Sequence, residues 1–437
     1  MFIIGSILWL PIAIYVPALT FMQVSGISLH IITPIVCAIC IFYTCVGGIK
    51  AVVWTDVIQS GLMFGTYILI MIKGTIDLGG LEVVLERNMQ NGRLEFPEFT
   101  IDPTVRMGAI AIFLGGTINK IIGNGIHQAA VQRYLSLPTM KEVNVAIIYY
   151  CIGLCGILSV CVYTGLLCYA TFYDCDPLTT KLAQKKDQIV PLFVMETLGQ
   201  YPGVTGLFVS GVFSAALSSL STNLNSISAC VYEDFVKPRR TRPMSRKQVA
   251  LVMRFIVVLF GIGSFGLVFI VEKLGTVLQL SLTLHAITQG PLLGIFTVGM
   301  CLPWIKSKSA VTGGLTAFLV MTYICIRGHY AVSTGEVLIP KKPVSIDGCD
   351  YEFDRTGLVN GTIYHEQIID NAEKQIYHIS FLLYSAVGAL ISILASLLSS
   401  LYFGINDTCE VDRRLISPVI HRFMKPPKYN DVNLDPK

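Results

Sequence analysis

The chain has 437 residues, of which 53% are hydrophobic and only 14% are charged. Soluble domains carry roughly 25% charged residues, so this composition predicts a protein that lies largely within a lipid bilayer. The same composition excludes a disordered chain, a collagen and a small disulfide-bonded scaffold. The net charge is only +4 and the basic residues form no single face, which excludes a nucleic-acid-binding protein.

Apolar runs along the chain predict ten membrane-spanning helices, and therefore an all-α polytopic membrane protein. A helix needs about 20 predominantly apolar residues to cross the hydrocarbon core. The first run has no basic residues before it and no polar break after it, so we predict a span and not a signal peptide. The predicted spans are 2–22, 31–49, 53–74, 107–128, 145–171, 203–234, 249–271, 276–302, 309–327 and 377–403.

The basic residues predict the orientation of these spans. Segment 237–247 (KPRRTRPMSRK) holds six Lys or Arg in eleven residues, which is typical of a cytoplasmic loop. Successive loops lie on opposite sides of the membrane, which fixes the side of each loop relative to this one. The segments predicted to lie inside are 131–144, 303–308 and 404–437. The segments predicted to lie outside are 75–106, 172–202 and 328–376. We expect one transmembrane domain over 1–403 and a largely disordered cytoplasmic tail over 404–437.

The predicted outer loops contain two features typical of exported segments. Cys175 and Cys349 lie in two of these loops, whereas most of the 13 cysteines lie in apolar runs. Their spacing leaves open whether they form a disulfide. The sequon Asn360-Gly-Thr also lies outside and is predicted to carry a glycan, whereas Asn406-Asp-Thr lies just inside and is interpreted as a chance match.

The third span begins with a carboxylate and an amide on one helical face. Ionisable residues within a span usually face a cavity or a partner, so each is a candidate for function. Asp56 and Gln59 are three residues apart and project from the same face. Their oxygens suit a hard cation such as Na⁺. The alternative is that Asp56 only caps the helix or reaches the cytoplasmic interface.

The sixth span contains a dense run of hydroxyl side chains, residues 214–226 (SAALSSLSTNLNS). Ser218 and Ser219 follow Ala215 by three and four residues, which places both hydroxyls beside the Ala215 carbonyl. A carbonyl and two hydroxyls make half of a Na⁺ coordination shell. The alternative is close helix packing in which the serines bond to the backbone.

The fourth span, 107–128, combines helix-weakening glycines with a lysine. The glycines predict a broken helix, and transporters bind their substrates at such breaks near the middle of the membrane. Lys120 lies near mid-membrane and therefore needs an anionic partner, either a substrate or a side chain such as Asp56. The glycines of this span are Gly115, Gly116, Gly123 and Gly125.

The eighth span contains His285, followed by Gly290-Pro291, which predicts a kink or a break. A lone histidine here is more often a core residue than a ligand. The sequence contains no HExxH, P-loop or GxSxG motif, so nothing in it predicts an enzyme.

Five motifs, spread over essentially the whole chain, resemble those of the sodium/solute symporter family. The ending E-D-x-x-K-P of the last motif and I-D-G-C-D (346–350) are more similar to the branch of monocarboxylate, multivitamin and iodide symporters than to the glucose branch. The likeness to the sodium-coupled monocarboxylate transporters is the strongest. The five motifs are GGIKAVVWTDVIQ (47–59), HQAAVQRYLS (127–136), YDCDP (173–177), LSSLSTNLNS (217–226) and YEDFVKP (232–238).

The resemblance implies a LeuT-like fold, with a core of two inverted five-helix repeats, one peripheral helix before it and two helices after it. Matching the motifs places residues 54–56 (WTD) at the start of core helix 5 and the serine run in core helix 8. Residues 2–22 then correspond to core helix 3. We therefore expect the peripheral helix and core helices 1 and 2 to be missing from this chain.

The resemblance also implies roles for residues. It implies two sodium sites. The main site is formed by Ala215, Ser218 and Ser219, and the second site is formed by Asp56, Gln59 and Gln128. Lys120 and Asn124 occupy cavity positions where relatives tend to carry Trp and Tyr, so these two residues are predicted to contact substrate, together with His285. His127 replaces the usual Asn.

The resulting hypothesis is a sodium-coupled symporter of small organic anions in the plasma membrane. Na⁺ is the expected coupling ion, and a monocarboxylate is the expected substrate, with a vitamin or iodide as alternatives. We expect the protein to lie in the lipid bilayer, and we predict no obligate protein partner. The rival hypothesis is a membrane sensor that kept the scaffold but does not transport, because it lacks core helix 1.

Overall fold

A computed structural model describes residues 1–272, 277–334, 336, 342–353, 362–363, 378–407 and 411–423. These residues are mostly α-helical, and two short strands, β1 (Val344–Ser345) and β2 (Thr362–Ile363), pair antiparallel. The helices are α1 (Phe2–Ser25), α2 (Leu29–Asp77), α3 (Leu81–Gln90), α4 (Ala109–Ile121), α5 (Gln128–Leu135), α6 (Met140–Thr171), α7 (Ile189–Leu198), α8 (Val204–Val231), α9 (Arg246–Val271), α10 (Val277–Cys301), α11 (Ser307–Ser333) and α12 (Tyr384–Phe403).

The described residues contain ten helical segments long and apolar enough to cross a membrane, as the sequence predicts. Hydropathy locates them well because burial in lipid depends on composition and not on the partners of each helix. Helix α1 is the most enclosed, since its buried Leu10, Ile14 and Tyr15 pack with residues of α2, α8 and α9 in one apolar core. A second core joins the end of α2 to α6, α7 and α8 around Ile70, Leu167 and Phe193.

Helix α2 contains both of the spans predicted at 31–49 and 53–74, which the structure has at Leu29–Gly47 and Val53–Asp77. Its backbone is helical without interruption from Leu29 to Asp77. Ile31 nevertheless lines one groove with Gly206 and Val209 of α8, while the Thr66 hydroxyl lies 3.4 Å from the Leu207 carbonyl of the same stretch. A straight helix would hold Ile31 and Thr66 about 50 Å apart. The two halves of α2 therefore run along α8 in opposite directions, and each crosses the membrane.

Close packing of small residues joins α10, α11 and α12. A Cβ atom added to Gly290 would lie 2.8 Å from the Ser385 carbonyl oxygen, and one added to Gly294 would lie 2.4 Å from the Ser392 Cβ. Helix α10 continues through Gly290-Pro291, so the break is not formed and the alternative, a kink, stays a prediction. Gly290 instead allows two helix backbones to approach, which is how small residues act in membranes.

The same kind of contact fixes α4 against the start of α12. A Cβ atom on Gly115 would lie 2.3 Å from the Leu382 carbonyl oxygen, and the Ser385 hydroxyl donates a 3.0 Å hydrogen bond to the Asn119 side-chain oxygen Oδ1. Asn119 directly precedes Lys120. The contact therefore fixes the last turn of α4 against α12.

We expect Gly115→Ala to destabilise the protein by about 1–3 kcal/mol, because the methyl group cannot fit against a backbone carbonyl. The apparent unfolding temperature of the purified protein measures this effect. Gly116→Ala is the matched control, since no atom lies within 4 Å of a Cβ at that position. Equal unfolding temperatures for the two variants would contradict the prediction.

The predicted outer loops form a linked cap. Cys175 and Cys349 form a disulfide with their Cα atoms 5.0 Å apart, which answers the question that their spacing left open. The Asp176 amide donates to the Ser345 carbonyl at 2.9 Å, and Tyr351 and Thr180 share a 2.7 Å hydrogen bond. The predicted glycosylation site Asn360 lies outside the described residues.

The first part of the predicted tail packs against the bundle. The Asn406 amide donates to the Trp304 carbonyl at 2.7 Å, and the Ser417 amide donates to the Met300 carbonyl at 3.1 Å. Disorder stays a prediction for residues 424–437, which lie outside the described residues.

Candidate functional site

The fourth span is broken where its glycines predict a break. Helix α4 ends at Ile121, a single π-helical turn covers Ile122–Ile126, and His127 is extended with φ −66° and ψ 125°. The Asn124 side-chain amide donates to the Lys120 carbonyl at 3.0 Å, which satisfies a backbone acceptor near the break. Helix α5 then begins at Gln128, so the break lies at the end of the span Ala109–Ile126.

This break opens on two adjoining cavities of about 640 and 330 Å³. Lys120, Ser219 and His285 line the larger one. Asn124, Ser218 and Ser219 line the smaller one. Residues from α1, α4, α6, α8 and α10 contribute to the walls of the larger cavity, which are Gly5, Ser6, Trp9, Lys120, Gly123, His127, Tyr150, Ser219, Asn223, His285 and Gln289.

Lys120 brings a positive charge to the larger cavity. Its ammonium makes no ion pair and no hydrogen bond with any residue that the structure describes. The alternative pairing with Asp56 is not formed, because the Asp56 carboxylate contacts Arg133. Lys120 is exposed in the described part of the chain, and its contact with substrate stays a prediction.

Aromatic rings surround the two histidines of the cavity wall. The Trp9 and His285 rings meet edge to face with centroids 6.1 Å apart, and Phe2 and His127 do so at 5.3 Å. His285 therefore contacts the Trp9 ring and also lines the larger cavity. No sequence pattern places Trp9 here, since this residue lies in an unbroken apolar run of α1.

The hydroxyls of α8 divide into two groups. Ser221 and Ser226 donate to backbone carbonyls of their own helix, as close packing in membranes predicts. The Ser218 and Ser219 hydroxyls make no hydrogen bond with any described residue and line a cavity instead. The serine-to-backbone hydrogen bonds of the packing interpretation are therefore not formed by these two serines, and their membership of the sodium site stays a prediction. Their positions, with Ala215 one turn earlier, suit the predicted main sodium site.

Asp56 belongs to a polar contact between three elements. One amino group of the Arg133 guanidinium lies 2.5 Å from a carboxylate oxygen of Asp56 and 2.6 Å from the Thr222 hydroxyl. The other Asp56 oxygen and the Gln59 side-chain oxygen are buried without a partner in the described part of the chain. Two such acceptors suit a cation. No hydrogen bond joins Gln128 to either residue among those described, so its membership of the second site stays a prediction.

We expect Asp56 and Arg133 to be coupled in a double-mutant cycle. Arg133→Gln leaves the Asp56 carboxylate, only 15% exposed, without its cation and should lower stability by about 2 kcal/mol. Asp56→Asn should change sodium dependence more than stability, and the double variant should recover most of the stability lost by Arg133→Gln. Thermal unfolding gives the stabilities, and additive losses would contradict the coupling.

Besides Trp9, three contributors to this region were missed from the sequence. Arg133 falls in a predicted cytoplasmic loop, although its place directly after the broken span was a usable signal. Ser6 and Gln289 line the larger cavity but lie in ordinary apolar helices, so only the fold reveals them.

The fold is shared with a solved transporter. The structure entitled "Substrate-bound outward-open state of a Na+-coupled sialic acid symporter reveals a novel Na+-site" superposes with a TM-score of 0.67, at 21% identity, over 92% of this chain and 73% of that one. The ten spans, the broken helix and the similarity to this structure define a LeuT-like membrane protein of the inverted-repeat class.

Sequence comparison identifies the family. Residues 2–317 match the model of the sodium:solute symporter family. The chain is 33% identical to sodium-coupled monocarboxylate transporter 2 of Mus musculus and 32% identical to transporter 1 of Homo sapiens, over 97% and 92% of its length. It is 34% identical over 92% of its length to a Drosophila melanogaster protein named "Putative sodium-dependent multivitamin transporter".

The chain therefore belongs to the sodium:solute symporter family, in which Na⁺ is the coupling ion. It spans 67% of the length of each of these three relatives.

Proposed function

We propose that this protein is a sodium-coupled symporter of small organic anions, with monocarboxylates as its substrate class. The observation that carries this proposal is the unpaired Lys120 ammonium beside the larger cavity. A lysine in this position holds a carboxylate by a charge-assisted hydrogen bond. The monocarboxylate transporters among its relatives support the same substrate class.

In this proposal sodium binds between the Ser218 and Ser219 hydroxyls and the Ala215 carbonyl. These serines adjoin the cavity that Lys120 lines, since Ser219 belongs to both cavities. A bound cation there strengthens the local positive potential and helps to hold an anionic substrate. Each net charge that moves through 100 mV contributes about 2.3 kcal/mol, enough to concentrate substrate roughly fiftyfold.

The proposed location is the plasma membrane, with the C-terminus in the cytoplasm. The basic segment 237–247 supports this orientation because cytoplasmic loops carry excess Lys and Arg. The disulfide between Cys175 and Cys349 supports it independently, since such bonds form in oxidising compartments, outside the cytoplasm.

Uptake of labelled butanoate and lactate into cells that express the chain tests the proposal. We expect uptake in sodium medium to exceed uptake in choline medium, and to rise when the interior is made more negative. Labelled biotin and iodide, measured in parallel, test the vitamin and iodide alternatives. Surface expression without sodium-dependent uptake of any of these solutes would contradict the symporter proposal and favour the sensor.

A further inference from the structure

The connection between α8 and α9 is the most basic segment of the sequence. Six of its eleven residues, 237–247, are Lys or Arg, and all six are exposed. Lys237 pairs with Glu233 at 2.6 Å, whereas the other five form no ion pair with any residue that the structure describes. This segment, the basic turn, therefore presents uncompensated positive charge. Its cations are Lys237, Arg239, Arg240, Arg242, Arg246 and Lys247.

The fold fixes both ends of the basic turn. Helix α8 continues through a π-helical turn, Tyr232–Val236, and a 3₁₀ turn, Lys237–Arg239, and the π-helical turn packs against α9. The Ser245 hydroxyl accepts from the Gln248 amide, and the Gln248 side chain accepts from the Ser245 amide, so the first turn of α9 is capped. Residues 240–245 join the two fixed ends, which holds the six cations on one surface.

The acidic side chains nearby cannot balance this charge. Glu233 and Asp234 precede the basic turn, and the chain has no further Asp or Glu until Glu272, at the other end of α9. The first turn of α9 carries two cations and no acidic residue, although the N-terminal end of a helix favours negative charge. The basic turn therefore attracts an anion from outside the described residues.

The basic turn lies beside the lipid headgroups. Residues 255–271 of α9 contain no charged side chain, so Arg254 marks the end of the hydrocarbon core. Arg246 is eight residues earlier in the same helix, which places it about 12 Å further along the helix axis. The headgroup layer covers about 5–8 Å of this distance, and the screening length in physiological salt is about 8 Å. The cations of the turn are therefore close enough to act on headgroup charges.

The side chains of the turn are suited to phosphate. Four of the six cations are arginines, and a guanidinium group can donate two parallel hydrogen bonds to a phosphate. The Arg240 and Arg242 side chains make no hydrogen bond with any described residue, so their donors are available. A headgroup with several phosphates would meet several of these cations at once, whereas a headgroup with one net charge would meet fewer. Clusters of four to eight Lys or Arg directly beside a span are typical of surfaces that bind such lipids.

We infer that the basic turn is a docking surface for anionic lipid headgroups of the cytoplasmic leaflet, and that it prefers a phosphoinositide bisphosphate to a lipid with one net charge. The charge of the turn, its place at the bilayer and its arginine content all match this occupant. The surface is separate from the candidate substrate site, since no residue of the turn lines either cavity. The inference rests on the proposed function only for the side of the membrane on which the turn lies.

The test is lipid binding to the purified full chain in detergent, counted by native mass spectrometry. The probes are dioctanoyl phosphatidylinositol bisphosphate, dioctanoyl phosphatidylserine and dioctanoyl phosphatidylcholine. We expect the bisphosphate lipid to reach half-saturation at a concentration roughly tenfold lower than phosphatidylserine, because each cation that meets the headgroup adds to its affinity. A bisphosphate lipid that binds no more tightly than phosphatidylserine would overturn the inference.

Two double variants assign the binding to the turn. Arg240→Gln with Arg242→Gln removes two exposed cations and breaks no hydrogen bond of their side chains among the described residues. This variant should weaken bisphosphate binding roughly tenfold. Arg240→Lys with Arg242→Lys keeps the charge but loses the two guanidinium groups, and should weaken binding less. Unchanged binding in the glutamine variant would place the lipid elsewhere and overturn the inference.

Lys141→Gln with Lys308→Gln is the matched control. Both lysines are exposed, lie in the first turns of α6 and α11, and form no ion pair with a described residue. The same loss of two charges at these positions should leave lipid binding unaltered. An equal loss of binding in this control would show an effect of net charge alone and would overturn the assignment to the basic turn.

Chemical labelling tests the side of the membrane. Thr241 is exposed at the centre of the basic turn. A membrane-impermeant maleimide should label Thr241→Cys, beyond the labelling of the unaltered protein, only after the cells are permeabilised. Labelling in intact cells would overturn the cytoplasmic leaflet as the source of the lipid.

Lipid binding and sodium-driven uptake can fail separately. Bisphosphate binding that depends on Arg240 and Arg242, without sodium-driven uptake, would support the docking surface and contradict the symporter. Sodium-driven uptake by a protein without the lipid preference would support the symporter and overturn the docking surface.

Discussion

Lys120→Met should weaken the binding of carboxylate substrates by roughly ten- to hundredfold. A hydrogen bond to a charged group contributes about 1.5–3 kcal/mol, and every 1.4 kcal/mol is tenfold in affinity. The ammonium makes no ion pair within the described part of the chain, so its removal leaves no carboxylate side chain unpaired there. The half-saturating substrate concentration for sodium-dependent uptake, corrected for surface expression, measures the effect.

Two further variants sharpen this prediction. Lys120→Arg keeps the charge but changes its shape, and should weaken binding less than Lys120→Met. Lys141→Met makes the same charge change at an exposed position in the first turn of α6, outside both cavities, and should leave the affinity unaltered. If Lys120→Met left carboxylate affinity unchanged, Lys120 would not contact the substrate.

Ser218→Ala should raise the sodium concentration for half-maximal uptake by roughly three- to tenfold. Its hydroxyl faces the smaller cavity without a protein partner, so the substitution removes a candidate ligand and breaks no hydrogen bond among the described residues. The loss of one neutral ligand corresponds to about 1 kcal/mol. Ser219→Ala should have a similar effect, because Ser219 adjoins both cavities.

Ser226→Ala is the matched control on the same helix. Its hydroxyl donates to the Thr222 carbonyl at 2.9 Å and lines neither cavity. We expect its sodium dependence to equal that of the unaltered protein. An unaltered sodium dependence in Ser218→Ala would remove Ser218 from the sodium site. An altered sodium dependence in Ser226→Ala would show that the sodium concentration for half-maximal uptake also responds to helix packing.

Much of the site could be predicted from sequence because its parts are local. The turn from Ala215 to Ser218 and Ser219 follows from helical geometry alone, and the break at Gly123–Gly125 follows from the weak helix propensity of glycine. The unpaired state of the Ser218 hydroxyl could not be predicted. Ser221, three residues later, bonds to the backbone, and only the surroundings of each serine decide between the two.

Contacts between distant segments could not be predicted, since no local pattern encodes them. The Asp56 carboxylate meets Arg133, 77 residues away, and not Lys120. Cys175 and Cys349 are 174 residues apart, and only the fold places them within bonding distance. The contact of α1 with α10 at Gly5 is of the same kind, because a Cβ atom there would lie 2.5 Å from the Thr288 hydroxyl.

Apolar runs along the chain were enough to predict a membrane protein with ten spans, and the motifs indicated a sodium:solute symporter. Hydropathy and helical spacing are properties of a few turns of one segment, so they can be interpreted without knowledge of the fold. The tertiary structure alone decided which polar groups are paired and which face the cavity. Pairing depends on the approach of separate helices, and in the membrane that approach is set by glycine contacts such as those of Gly5 and Gly115.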